Sequence, residues 1–336
     1  MLKVPVIHPK ARTKKIKSIA VLSSGGDAPG MNAAIRAIVR FGIYHGLEVY
    51  GVMRGYSGLI EGHIEPLQLS SVANIIQRGG TILKTSRCPA FMEKSTRREA
   101  SNILLRNGID ALIVIGGDGS FAGAHLMENE TGFPTICIPG TIDNDIVGSE
   151  DTIGFDTAVN TAIDAIDRIR DTANSHDRLF LVEVMGRSSG FIAVQVGIGG
   201  GAETVIVPEE NQSIDKICQT IQRGKKRGKT SSIIIVAEGP KAGLSDRIAS
   251  QLKKRGFAPR VCILGHIQRG GTPTAHDRYL ASTLGAAAVE YLIKGYSDAM
   301  IGVRDGHVVL IPYSKAQHKR KSLDKGPLKL SKVLAT

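Results

Sequence analysis

Short, almost wholly apolar runs, each closed by glycine, proline or polar residues, alternate along this chain with stretches whose apolar residues recur every three or four positions. Ser18–Leu22, Ala111–Ile115, Pro134–Ile138, Leu179–Val184 and Ser232–Ala237 have the length and β-branched content of strands buried on both faces. Glu48–Met53, Thr204–Val207 and Arg260–Leu264 read as further strands, with two more near Met300–Val303 and Val308–Ile311. Helical spacing predicts a helix from about Met31 to His45, where Ile35, Ile38, Val39 and Ile43 share one face and Arg36 and Arg40 lie on another. It predicts a long helix over Thr157–Ala173, with Ala158, Ala162, Ala165, Ile166 and Ile169 inward. Others are expected near Ser71–Gln77, from about Ile214, near Asp246–Arg255 and over Asp277–Ile293. Strand and helix alternate, so the expected fold is α/β: two doubly wound α/β/α, Rossmann-like domains with an active site in the cleft between them.

Composition narrows this picture. Length and a 42% hydrophobic content allow two full cores, and with 4% aromatics and no Trp those cores are aliphatic. Cys88, Cys137, Cys218 and Cys262 form no metal-ligand spacing and read as reduced thiols. No apolar run approaches a membrane span and no signal-peptide pattern is present, so a soluble, cytoplasmic protein is expected. The formal charge of +12 sits at the ends. Lys3, Lys10, Arg12, Lys14, Lys15 and Lys17 precede residue 18 with no acid. Residues 315–336 hold seven bases against Asp324, so each end carries +6 and residues 18–314 are formally neutral. Two solvated basic tails follow from this, and no nucleic-acid partner, because stacking aromatics and a recognition motif are missing.

The chemistry is concentrated where the strands end. Ser24-Gly25-Gly26-Asp27 and Gly116-Gly117-Asp118-Gly119-Ser120 each follow a strand and open a helix, a geometry that lets backbone N–H groups approach a polyphosphate. Neither is a Walker A loop, since no Gly-Lys-Ser/Thr follows. Tight turns use glycine in any case, but two such turns in one domain, one carrying Asp118, favour phosphate binding with Asp118 on Mg2+. Pro139-Gly140-Thr141-Ile142-Asp143-Asn144-Asp145 puts two acids and a hydroxyl after a buried strand. Capping alone would need one acid. Asp143 is the candidate base toward an acceptor hydroxyl, with Thr141 donating to the transferring phosphoryl group. Arg87, Arg178, Arg187, Arg260, His266 and Arg269 offer charge for phosphates and a transition state.

In order and spacing, SGGDAPGMNAAIRAIVR (Ser24–Arg40), GGDGS (Gly116–Ser120), PGTIDND (Pro139–Asp145), Met185-Gly186-Arg187 and GHIQRGG (Gly265–Gly271) resemble the 6-phosphofructokinase family from about Ser18 to Gly302. The resemblance implies transfer of a phosphoryl group from ATP to fructose 6-phosphate. It implies nucleotide contacts at Gly26, Arg87, Cys88, Gly117, Asp118, Gly119 and Ser120, with Mg2+ at Asp118. Thr141, Asp143, Asp145 and Arg187 are then catalytic. Met185, Gly186, Arg187, Glu238, His266 and Arg269 hold the sugar phosphate, together with Arg178 and Arg260 from a neighbouring subunit of a homotetramer. The expected domains are 18–153 plus about 267–312 for nucleotide and 154–266 for sugar phosphate, with basic tails at 1–17 and 313–336.

An effector site is implied at Arg36, Arg40, Arg170, Glu203 and Lys229. Leu69 stands there in place of an arginine, and Thr230-Ser231 in place of a Lys-His pair. Met92 replaces an arginine near the nucleotide. These departures put the usual allosteric control in doubt. Gly119 and Gly140 occupy the positions where pyrophosphate-dependent relatives carry Asp and Lys, which favours ATP as donor over a pyrophosphate-dependent enzyme. A lipid or NAD kinase shares GGDGS but not PGTIDND or GHIQRGG. A non-catalytic nucleotide sensor would need a broken catalytic loop.

Overall fold

The computed structural model describes residues 15–176, 178–316 and 321–335. The strands are β1 (Ser18–Ser23), β2 (Glu48–Val52), β3 (Ile64–Pro66), β4 (Ala111–Gly116), β5 (Thr135–Pro139), β6 (Leu179–Val184), β7 (Thr204–Ile206), β8 (Ser232–Ala237), β9 (Pro259–Ile263), β10 (Ala299–Arg304) and β11 (His307–Pro312). β1, β4 and β8 are buried at every residue. That is why each reads as an unbroken apolar run and why each takes a central place with helices on both faces.

The chain divides into two compact units. The first takes the chain up to Thr141, then Ile146–Gly154 and Arg269–Lys321. Its seven-stranded sheet runs β11-β10-β5-β4-β1-β2-β3, parallel throughout the middle, with β3 and β11 antiparallel at the edges. The second unit comprises Ile142–Asp145, Phe155–Gln268 and the chain from Ser322 on. Its four strands, β7-β8-β6-β9, are all parallel. Each unit is a doubly wound α/β layer structure, as the alternation predicts.

Several expectations need correction. Ser71–Gln77 is a succession of turns, with bonds such as Ala73 N–H to Ser70 O (3.1 Å) and Asn74 at φ 54°. Its apolar spacing reflects Val72 and Ile75, which plug the core singly. Helices at Lys94–Arg106 and Phe191–Gly199 had no sequence signal strong enough to place them: one is charged on most faces, the other apolar all round. The C-terminal end is no solvated tail over Lys325–Leu334. Asp324 caps a helix there by accepting from the Gly326 N–H at 2.8 Å. Leu328 and Ser331 are buried, and Lys332 forks onto both oxygens of Glu210 (2.5 and 2.7 Å) in the second unit. Its lysines read as a tail only because they line the outer side of a helix. The N-terminal basic segment up to Lys14 lies outside the described residues. No described helix is long and apolar enough to cross a membrane.

Candidate active site

In the first unit three neighbouring strands, β5, β4 and β1, deliver their C-terminal ends side by side, the edge where open α/β sheets bind ligands. The pairing continues past the strand ends: Ser24 N–H donates to Ile115 O and Gly140 N–H to Gly116 O, both at 2.9 Å. The loops carrying Gly26, Gly117–Ser120 and Thr141 are therefore held next to one another. The segment that carries Arg87 and Cys88 joins them, because Thr85 Oγ1 donates to Gly25 O (2.8 Å) and Ser57 Oγ to Arg87 O (3.1 Å). All seven nucleotide candidates thus come to one edge of one sheet.

The glycines here serve different ends. A Cβ at Gly116 would lie 2.6 Å from Ser24 O, so that position is glycine because two loops touch. A Cβ at Gly26 would meet the Arg269 guanidinium at 2.8 Å, so that glycine makes room for a candidate sugar-phosphate ligand rather than only for nucleotide. Arg269 Nε is buried and makes no hydrogen bond among the described residues, a donor left for an anion. At Gly117 and Gly119 a Cβ would meet nothing within 4 Å and φ is not left-handed. Gly117 precedes the helix Asp118–Thr131 and Gly119 lies in its first turn, where glycine is less favourable than alanine. The fold gives no reason for it; space for something else does.

Asp118 is exposed at the N-terminus of that helix, and no group of three or more metal-ligating side chains occurs among the described residues. One exposed carboxylate beside open glycine backbone suits a hard cation shared with phosphates, not a protein cage. Tyr313, buried near Asp118, is pushed up to about 12, by burial first and then by the Asp118 carboxylate, so it stays a neutral phenol. Sequence reasoning missed the supports beneath this edge. Tyr56 O–H donates to Ser120 O (2.6 Å) and its ring stacks on Phe91 with centroids 3.8 Å apart. Arg97 donates to Phe91 O (2.9 Å) and Met92 O (2.7 Å) and forks onto Glu130, whose carboxyl that hydrogen bond holds below its ordinary value.

In the second unit the C-terminal ends of β8, β6 and β9 are likewise adjacent. Glu238 N–H donates to Val184 O (2.9 Å) and Leu264 N–H to Glu183 O (3.0 Å). Glu238, Met185–Arg187 and the turn from Gly265 to Gln268 therefore stand together at this edge, while Arg269 belongs to the first unit. Arg187 N–H donates to Glu238 Oε1 at 2.8 Å. Arg187 has φ 50°, a left-handed conformation rare outside glycine, and Asn144 shares it. Asp143 is 6% exposed, and its carbonyl accepts from Ser189 Oγ at 3.2 Å, which fixes the candidate base against the Met185–Gly190 turn.

Arg178 and Arg260 are not brought to this edge. Arg178 precedes β6 and Arg260 is the second residue of β9. The seven residue steps from Arg178 to Met185 span about 23 Å of extended chain. Among the effector candidates, Glu203 and Lys229 form an ion pair at 2.7 Å. Glu203 also accepts the Ile233 N–H (2.5 Å), and Arg170 donates to the carbonyls of Gly200 and Gly201. Arg36 and Arg40 lie in the Met31–Tyr44 helix of the other unit.

Residues 18–292 match the family described as phosphofructokinase. This chain belongs to the phosphofructokinase family. It is 52% identical to an ATP-dependent 6-phosphofructokinase of Caldanaerobacter subterraneus over 95% of this chain and 100% of that one. An ATP-dependent 6-phosphofructokinase 1 of Thermus thermophilus is 53% identical over the same shares. Among solved structures, phosphofructokinase from Saccharomyces cerevisiae superposes with a TM-score of 0.84 at 35% identity, over 94% of this chain and 46% of the yeast chain. A pyrophosphate-dependent phosphofructokinase from Marinobacter aquaeolei reaches 0.81 at 21% identity, a likeness of fold.

Proposed function

We infer that the chain transfers the γ-phosphoryl group of ATP to the 1-hydroxyl of fructose 6-phosphate, giving ADP and fructose 1,6-bisphosphate. This is the activity for which its bacterial relatives are named. The observation that carries the reading is the catalytic loop. Pro139–Asp145 leaves β5 beside the Gly-rich helix start, and its Asp143 is pinned by Ser189 to the turn that presents Arg187. Asp143 takes the proton of the acceptor hydroxyl, Thr141 and Arg187 donate to the transferring group, and Asp145 completes the acidic loop. Gly26, Arg87, Cys88 and Gly117–Ser120 receive the nucleotide. Asp118 would hold the Mg2+ ion, which when bound would supply positive charge to offset that of the transferring group.

Met185, Gly186, Arg187, Glu238, His266 and Arg269 bind the sugar phosphate. Arg178 and Arg260 serve the site of a neighbouring subunit in a homotetramer; their distance from their own chain's Met185–Arg187 turn supports that role. Arg36, Arg40, Arg170, Glu203 and Lys229 form the effector site. Four free cysteines suit a reducing cytoplasm. A coupled assay for ADP release tests the central reading: turnover with ATP and fructose 6-phosphate is expected, and its absence in folded protein would refute it.

A further inference from the structure

We propose that Gln268 is a positioning residue for fructose 6-phosphate, holding the Met185–Arg187 turn in register with the turn that carries His266; the proposal rests on the sugar-phosphate reading above. Gln268 is 0% exposed, in a stretch whose neighbours Ile267 and His266 are exposed. Its Oε1 accepts the Met185 N–H at 2.9 Å and its Nε2 donates to Ala158 O, in the Phe155–Ser175 helix, at 3.4 Å. The two bonds fix the amide's orientation. Rotating it by half a turn would face a donor with a donor and an acceptor with an acceptor.

Three elements thereby meet at one side chain: the end of β6, the turn after β9 and a helix. Gly186, one residue beyond the bonded amide, has φ 138°, and Arg187 has φ 50°. A turn in two left-handed conformations persists only where its surroundings hold it. The Arg187 N–H is fixed by Glu238 on one side; Gln268 fixes the Met185 N–H on the other. Both bonds of the Gln268 amide are buried, so water cannot replace it if it is lost.

Gln268→Met keeps the shape and removes both bonds. It is expected to raise KM for fructose 6-phosphate about tenfold, the effect of leaving one buried amide unpaired, with KM for ATP unchanged. Hydrogen exchange at Met185–Arg187 should quicken while exchange in the first unit does not. Gln268→Glu separates positioning from bulk packing. A neutral carboxyl offers one acceptor and one O–H donor, like the amide, whereas the ionised form has no donor for Ala158 O. Burial favours the neutral form, so KM for fructose 6-phosphate should fall toward wild type as pH is lowered, relative to the wild-type profile. An unchanged KM for fructose 6-phosphate in both variants, or equal rises in both substrates' KM, would overturn the proposal. Wild type without turnover would refute the kinase reading instead. The exchange of Met185–Arg187 would then decide the positioning role by itself, unaltered exchange in Gln268→Met overturning it.

Discussion

Gly119→Asp separates what the fold needs from what the nucleotide needs. The position is helical, φ is unexceptional and no atom lies within 4 Å of a Cβ there. Aspartate in a helix interior is preferred to glycine by a few tenths of a kcal/mol. In the first turn its charge gains a further 0.3–1 kcal/mol or so from the helix dipole, against repulsion from neighbouring Asp118. The variant should therefore melt within about 3 °C of wild type. ATP sees a different site. A carboxylate at about 4 Å from a nucleotide phosphate, at an effective dielectric of about 20, costs about 4 kcal/mol per pair of unit charges. Asp118 and Gly119 are exposed, so solvent and a bound cation screen part of this, leaving roughly 2–4 kcal/mol. kcat/KM for ATP should fall about 30- to 1,000-fold, with fructose 6-phosphate binding, followed by calorimetry, changed less than threefold or so. Gly119→Ala, which adds only the Cβ, should cost far less. A Gly119→Asp enzyme that keeps kcat/KM for ATP within about threefold of wild type would refute the argument that the open space belongs to the donor. So would wild-type turnover of pyrophosphate faster than ATP at matched concentrations.

Asp143→Asn should lower kcat by roughly 10²–10⁴ with ATP affinity nearly unchanged; near wild-type kcat would take Asp143 out of the mechanism. Arg260→Ala and Asp143→Asn subunits, each inactive alone, should regain activity when mixed tetramers form, since a hybrid contains an intact shared site. Mixed tetramers without activity would sink the shared site. Leu69 is exposed where an effector arginine is expected. The missing contact costs on the order of 1.5–3 kcal/mol, about tenfold or more in affinity, so response to micromolar ADP or phosphoenolpyruvate should be weak. A strong response would show that other residues compensate.

What the sequence discloses follows burial. β1, β4 and β8 are buried throughout and announce themselves; β3, three partly exposed residues at a sheet edge, does not. The candidate loops were legible because motif residues cluster where buried strands stop, and the sheets bring most of them together as expected. The props beneath them were not. Gln268 and Tyr56 act through bonds to backbone groups distant in sequence, and Arg97 ties the Phe91 and Met92 carbonyls to the remote Glu130 carboxylate; no periodicity reveals either. The Lys325–Leu334 helix was hidden by its own solvent face, and Ser71–Gln77 imitated a helix because two plugs of the core happen to lie three residues apart.

The boundary between the two units falls inside the candidate catalytic loop: Thr141 belongs to one, Ile142–Asp145 to the other, and Ile146 returns to the first. Neither unit is a continuous stretch of gene. Recombination that replaced residues 155–268 with a different module would leave Asp143 behind in the recipient, without the Ser189 that anchors its carbonyl. A piece expressed as 155–268 would conversely lack the acid altogether. Such an arrangement resists modular shuffling.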